Sequence, residues 1–275
     1  KTLTRNRDEV DLQRFLQEAR SAARLRHPNI VPVHDIGEID GVHYFTMDLI
    51  DGDSLDELVH RQGTFSADEA ARLGAKLSRA LDYAHRHGVI HRDIKPGNVI
   101  IERETGEAYL TDFGLARTVE SSTQLTKTGF AVGTPNYMSP EQASGARDID
   151  ARADIYGIAT LIYAIVTGRP PYDGPNALAT MTSVINDPVP SLRDHVPEAP
   201  ETLDRVLKRA LAKRRRDRYQ TAAEFADALA ESVGPKGGKA PTAKKAPQSR
   251  SSRAGLQVRR YNTLPPRRTV PQLAG

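Results

Sequence analysis

The stretch that most constrains this chain is His-Arg-Asp-Ile-Lys-Pro-Gly-Asn at residues 91–98. Asp93 and Asn98 lie five residues apart with Lys95 between them, after a helical pattern over residues 66–87 and before an apolar strand pattern. One loop therefore directs a carboxylate, an ammonium and a carboxamide into one small volume. Phosphoryl transfer requires a base, a cation that neutralises developing charge, and an oxygen ligand for a divalent metal. Taken alone, the stretch is also compatible with a plain polar surface loop.

Two further motifs follow in a fixed order. Asp112-Phe113-Gly114 falls 19 residues after Asp93 and follows a strand pattern, and Ser139-Pro140-Glu141 comes later. The three motifs together resemble those of the protein kinase superfamily. Lys95 and the run Gly-Thr-Pro-x-Tyr-Met-Ser-Pro-Glu at 133–141 resemble the Ser/Thr branch, and within it the bacterial eukaryotic-like kinases. The resemblance covers about residues 1–233.

This resemblance implies an α+β fold of two lobes. Residues 1–49 would form part of a small lobe with strands and one helix, and residues 50–233 a mostly helical large lobe. Residues 234–275 are rich in Gly, Pro, Ala, Ser, Lys and Arg and are expected to be a disordered basic tail or linker. Because no Gly-x-Gly-x-x-Gly occurs and residue 1 is Lys, we expect a fragment that lacks the glycine-rich loop over the phosphates.

The resemblance also implies ATP and Mg²⁺ (or Mn²⁺) as cofactors. Asp112 and Asn98 would hold the metal ions, and Asp93 would orient and deprotonate the acceptor hydroxyl. Lys95 would neutralise charge in the transition state. Thr134 would hydrogen-bond between Asp93 and Lys95 and favour Ser or Thr acceptors.

An amphipathic helix is predicted over residues 8–26, where apolar residues recur at spacings of three and four. Glu18 points to the apolar face, where a carboxylate is costly unless a cation pairs with it. In the resembled family this Glu pairs with a strand Lys that grips the α- and β-phosphates, and Lys1 lies 17 residues upstream. The alternative for Lys1 is a charged chain end.

Two strands are predicted at residues 31–36 and 42–49. The resemblance makes the end of the second strand the hinge between lobes, with Met47 as the gatekeeper behind the adenine pocket. The backbone C=O of Asp48 and the N–H of Ile50 would bond the adenine edge. A plain buried strand end is the alternative.

Residues 115–138 resemble an activation segment, although a flexible polar loop is the alternative. Thr126 and Thr128 lie seven and five residues before Gly133, as do the paired phosphothreonines of similar bacterial kinases. In the family, Arg92 and Arg117 occupy the positions that bind the loop phosphate. Since a phosphate adds charge and acceptor oxygens for an Arg pair, we predict autophosphorylation at both threonines.

Other residues are assigned structural roles by the resemblance. Glu141 would form a buried pair with Arg218, and Asp154 would anchor the backbone of the 91–98 loop. His85 and His87 are expected to be structural or solvent-facing rather than catalytic, because no carboxylate partner is evident nearby in the sequence, and His91 is expected to be a packed structural residue. Helices are predicted at 154–167, 176–186, 200–212 and 221–232.

Composition restricts the kinds of metal site, cross-link, partner and membrane contact that the chain can have. There are no cysteines, which excludes disulfides and thiolate metal sites. The tail from residue 234 holds ten Lys/Arg and no Asp/Glu, which leaves a net charge of −6 over residues 1–233. Contact of the tail with an anionic membrane or nucleic acid is one interpretation, and a solvated linker is the other. The longest apolar run is shorter than the roughly 20 residues of a membrane span.

The function expected from these observations is that of a Ser/Thr protein kinase that acts on protein substrates. A kinase dimer is compatible with the resemblance, as are a cytoplasmic location and anchoring of a longer parent protein to a membrane. A catalytically impaired fragment or pseudokinase scaffold is the second hypothesis, and an anion-binding module based on the tail is the third.

Overall fold

A computed structural model describes residues 21–39, 42–113 and 135–233 of the 275-residue chain. The strands are β1 (Val33–Ile39), β2 (Val42–Met47), β3 (Gly52–Ser54), β4 (Val99–Glu102) and β5 (Ala108–Leu110). The α-helices are α1 (Leu55–Gln62), α2 (Ala67–Arg86), α3 (Pro140–Ala143), α4 (Arg152–Thr167), α5 (Ala177–Asn186), α6 (Glu201–Ala210) and α7 (Ala222–Ser232).

The five strands form two separate sheets. β1 and β2 form an antiparallel pair, with an irregular register between Val33 and Asp35, and bury Val33 against Phe45. β3, β4 and β5 form a second antiparallel sheet in that order. Residues 29–31 run alongside β5, because Val31 N–H donates to Leu110 O at 2.9 Å. Val31 therefore pairs outside β1, which begins two residues after the start of the predicted 31–36. The pairing of β1 with β2 continues to Ile39, three residues past the predicted end.

Helices α1 and α2 begin at sequence-encoded caps. Ser54 and Ser66 each accept the backbone N–H of a glutamate three residues on, and the glutamate carboxylate accepts the serine N–H in return. These reciprocal bonds satisfy donors that a helix start leaves unpaired. Helix α2 ends at Arg86, and Gly88 follows in the left-handed region at φ 74°. The chain therefore turns sharply and enters the 91–98 loop.

Helix α4 forms the centre of the main core. Every residue from Ala153 to Val166 is buried, as the apolar run predicted, and α2, α6 and α7 pack around it. The helix begins at Arg152, two residues before the predicted start, because Asp150 Oδ1 accepts the Arg152 N–H at 2.9 Å. The observed bounds of α5, α6 and α7 lie within two residues of the predicted ones.

The predicted α+β class, with a strand-rich small lobe and a helical large lobe, is confirmed. Of the helix predicted over 8–26, the structure describes the last part, where residues 21 and 22 are helical and Ala22 and Leu25 are buried. Within the described ranges, no helix combines the length and apolar character that crossing a bilayer requires.

Candidate active site

The loop between α2 and β4 brings three predicted site residues into direct contact. Lys95 Nζ lies 2.7 Å from Asp93 Oδ2, and Asn98 Nδ2 lies 2.8 Å from the same oxygen. Asn98 Nδ2 also donates to the Asp93 backbone carbonyl at 2.7 Å. The 3₁₀ turn at Pro96–Asn98 folds the loop back, so that Asn98 reaches Asp93. The Asp93 carboxylate is therefore held from two sides through one oxygen.

Asp112 is attached to this loop through its neighbours. Thr111 N–H donates to Asn98 O at 3.0 Å, and His91 Nε2 lies 2.9 Å from Thr111 O. The fully buried His91 ring also packs on Phe113, with ring centroids 4.6 Å apart. Asp112 itself has φ 66°, a left-handed conformation that is uncommon for a residue with a side chain. The end of β5 and the loop thus form one connected unit.

Buried Asp154 on α4 fixes the start of the loop. Its Oδ2 accepts the His91 N–H at 2.8 Å, and its Oδ1 accepts the Arg92 N–H at 2.7 Å. His85 Nε2 at the end of α2 lies 2.7 Å from Oδ2. Burial alone would raise the pKa of the Asp154 carboxyl, but the hydrogen bond and charge of His85, with the charge and backbone N–H of His91, lower the pKa overall.

The residues predicted to form the hinge follow β2. Met47 ends the strand, with its Sδ 3.7 Å from Thr111 Oγ1. Asp48 N–H donates to Pro32 O at 3.1 Å, so this N–H is already paired within the protein. His34 Nε2 lies 2.5 Å from Asp48 Oδ1. Ile50 is half-buried and has no regular secondary structure.

The pair predicted between Glu141 and Arg218 is present and buried, with both Nη1–Oε1 and Nη2–Oε2 distances at 2.7 Å. It ties α3 to the segment that precedes α7. Six predicted site residues lie outside the described ranges: Lys1, Glu18, Arg117, Thr126, Thr128 and Thr134.

Sequence reasoning missed two contacts that support the 91–98 loop, one at its anchor Asp154 and one at Arg92. His85 has a carboxylate partner, Asp154, which is 69 residues away in the sequence. Gln142 on α3 donates from Nε2 to Arg92 O at 2.7 Å. The sequence does carry a signal for Gln142, because Ser139-x-x-Gln142 matches a capping box, but that signal predicts only the helix start.

Oxygen ligands for a divalent metal are present in the form that Mg²⁺ prefers. Asn98 contributes an amide oxygen and Asp112 a carboxylate, and Asn98 Nδ2 is already committed to Asp93, which orients the amide. In the part of the chain that the structure describes, no three His, Cys, Asp or Glu side chains cluster as a metal cage. Mg²⁺ at nucleotide sites takes one or two carboxylates plus phosphate oxygens and waters, so these residues fit it.

Comparisons with a family model and with curated proteins identify the same family. Residues 1–230 match a model described as "Protein kinase domain". The chain is 41% identical over 225 residues to serine/threonine-protein kinase PknB of Mycolicibacterium smegmatis, which covers 80% of this chain and 36% of that protein. It is 39% identical over 228 residues to serine/threonine-protein kinase PknH of Mycobacterium bovis, or 83% of this chain and 38% of that protein.

A third relative is the probable serine/threonine-protein kinase PknB of Lactococcus lactis subsp. lactis, 36% identical over 226 residues. That match covers 82% of this chain and 36% of the relative. The chain thus spans just over a third of the length of the curated relatives that it matches.

Proposed function

The chain belongs to the protein kinase family, and on that premise we propose that it transfers the γ-phosphoryl group of ATP to Ser or Thr hydroxyls of protein substrates. The observation that carries the proposal is the Asp93 carboxylate, held through Oδ2 by Lys95 and Asn98 beside the strand end that presents Asp112. The names of the relatives, all serine/threonine-protein kinases, support the class of acceptor.

Asp93 acts as the base in this proposal. Both side-chain hydrogen bonds go to Oδ2, and among residues 21–39, 42–113 and 135–233 none donates to Oδ1. Oδ1 is therefore the oxygen that accepts the hydroxyl proton and aligns the nucleophile. Lys95, at 2.7 Å from Oδ2, places a positive charge where negative charge develops on the transferred group.

In this proposal the nucleotide is held by groups from the 91–98 loop, from the end of β5 and from the segment after β2. We assign Asn98 Oδ1 and Asp112 to the metal, and Asp48 C=O and Ile50 N–H to the adenine edge below Met47. When bound, Mg²⁺ or Mn²⁺ would neutralise phosphate charge. Lys1 held by Glu18 would grip the α- and β-phosphates, on the basis of sequence position.

Regulation by autophosphorylation at Thr126 and Thr128 is part of the proposal. A phosphate there brings about −1.5 to −2 charges and acceptor oxygens that Arg92 and Arg117 can bind. Mass spectrometry of the active full-length gene product should find both threonines modified. Two unmodified threonines in active protein would remove this regulatory step and leave the phosphotransfer proposal intact.

The decisive experiment is the Asp93→Asn substitution in the full-length gene product. We expect turnover to fall about 10²–10⁴-fold, because the base is lost, while ATP affinity is retained. Asp227→Asn on the exposed face of α7 is the matched control and should keep the wild-type rate. An Asp93→Asn protein with wild-type turnover would exclude Asp93 as the base. A wild-type protein that binds ATP without transfer would favour the scaffold hypothesis.

Dimerisation and tail contacts are predictions from sequence and family only. Deletion of residues 234–275 tests the tail independently of the active site. Loss of salt-sensitive polyanion binding, with unchanged kinase activity, would assign that binding to the tail alone. Binding to anionic vesicles rather than nucleic acid would distinguish the two anionic partners.

A further inference from the structure

Gln142 makes two sets of hydrogen bonds with the two ends of its carboxamide. Its Oε1 accepts from the backbone N–H and from Oγ of Ser139, both at 3.0 Å, and completes the cap of α3. Its Nε2 donates to Arg92 O at 2.7 Å. Because the cap fixes the oxygen, the NH₂ group is directed at the 91–98 loop. The side chain therefore joins α3 to the residue before Asp93.

The carbonyl that Gln142 binds belongs to the peptide bond between Arg92 and Asp93. The N–H of that same peptide bond lies 3.3 Å from His91 Nδ1, and the preceding N–H, of Arg92, donates to Asp154. Arg92 has φ 66°, a left-handed conformation that persists in residues with side chains only where the surroundings fix it. Gln142 and Asp154 hold the two sides of this strained residue, and its geometry sets the direction in which Asp93 leaves the loop.

The residue type at position 142 supports a role beyond capping. The capping boxes of α1 and α2 place Glu57 and Glu69 at the equivalent position. A carboxylate caps equally well but has no hydrogen to donate, and at position 142 it would place an anionic oxygen against Arg92 O. A carboxamide satisfies the cap and the loop together.

We propose that Gln142 is a positioning residue for the phosphotransfer reaction, which holds the Arg92–Asp93 peptide and thereby the orientation of the Asp93 carboxylate. The inference rests on the proposed function. The inference gives α3, which follows the segment that resembles an activation segment, a role in positioning Asp93, the proposed base.

The test replaces the donor and keeps the cap. In the full-length gene product, Gln142→Glu should lower kcat about 10- to 100-fold, the range for slight misplacement of a reacting group, with the KM for ATP and the thermal midpoint unchanged. Gln142→Met removes the cap acceptor together with the donor, so it should lower kcat similarly and lower the thermal midpoint as well. The matched control is Glu69→Gln, which exchanges carboxylate and amide in the capping box of α2 and should leave kcat unchanged.

A pH profile separates positioning from general damage. The carboxyl group introduced by Gln142→Glu regains an O–H donor when it is protonated, so the ratio of Gln142→Glu to wild-type kcat should rise as the pH is lowered. Among the described residues, the charged groups that adjoin Gln142 through the bonded network are Arg92 and Asp93 in the loop, Asp154 bound to Arg92, and Glu141 with its partner Arg218. Helix α5, which packs on α3, has no titratable side chain. Because wild type carries the same groups, the ratio reports the new carboxyl.

Two results would overturn the inference: wild-type kcat in both Gln142 variants, or a lowered kcat in Gln142→Glu that stays constant relative to wild type across the pH range while the thermal midpoint falls. Failure of the proposed function would be recognised separately, since Asp93→Asn would then leave transfer unchanged in the otherwise wild-type protein.

Discussion

Arg218 and Glu141, 77 residues apart in the sequence, form a doubly hydrogen-bonded ion pair in the protein interior. The Arg218 side chain is fully buried and also donates to the backbone carbonyls of Ala212, Arg152 and Lys213. All of its donor groups are thereby used. Removal of the arginine would leave the Glu141 carboxylate buried without a counter-charge.

We therefore expect Arg218→Met to lower the free energy of unfolding by about 3–5 kcal/mol, as for other broken buried pairs. Urea denaturation at neutral pH measures this loss. The matched control is Arg205→Met, which breaks an exposed pair with Glu201 at 3.7 Å and should cost less than about 1 kcal/mol. Equal losses in the two variants would contradict the buried-pair account.

Gly157 on α4 gives a prediction that opposes ordinary helix propensity. Gly→Ala inside a helix normally stabilises by roughly 0.5–1 kcal/mol. At position 157, however, an added Cβ would lie 2.8 Å from Ile94 Cβ in the 91–98 loop. We expect Gly157→Ala to destabilise by about 1–3 kcal/mol through overpacking, with kcat lowered as the loop shifts.

Gly97 is the control for Gly157, because an added Cβ there meets nothing within 4 Å. Gly97→Ala should change the free energy of unfolding by less than about 0.5 kcal/mol. Thermal denaturation and steady-state kinetics of both variants test the pair of predictions. A Gly157→Ala protein more stable than wild type would show that the 91–98 loop shifts at little cost to accommodate the added methyl group.

Two sources account for what the sequence could predict: short sequence separation, and the family resemblance, which alone predicted the pair of Glu141 with Arg218. Asp93, Lys95 and Asn98 fall within one loop, and Ser54 and Ser66 cap helices through residues three positions away. Contacts that depend on which helix faces meet were not predictable in this way. His85 and Asp154 meet only because α2 packs on α4, and Gln142 reaches Arg92 only because α3 lies against the loop.

Asp154 connects the buried core to the proposed base. Asn at this position keeps the size but presents one oxygen and one NH₂ group to two backbone N–H donors, so one donor loses its partner. We expect Asp154→Asn to cost about 1–3 kcal/mol of stability and to lower kcat at least about 10-fold through displacement of the loop. His85→Gln, which preserves a donor to Asp154, should have the smaller effect on both quantities. Full activity in Asp154→Asn would show that the loop keeps its geometry without this anchor.

Asp150 gives a prediction for pH dependence. Burial acts to raise the pKa of its carboxyl, but hydrogen bonds from Arg152 and Arg215 outweigh burial and lower the pKa to about 2. A carboxyl whose folded pKa lies below its unfolded value of roughly 3.9 stabilises the protein above that pH. This stabilisation disappears as the pH falls toward the folded pKa.

Because the Asp150 side chain is 38% exposed, solvent screening reduces its contribution to about 1 kcal/mol at pH 7. Asp150→Asn should be less stable than wild type by that amount at neutral pH, and the gap should close between about pH 4 and pH 2. Urea denaturation of both proteins across this pH range measures the gap. A difference that stays constant down to pH 2 would show that Asp150 stabilises the start of α4 through uncharged contacts, since only the ionised form can pair with the two arginines.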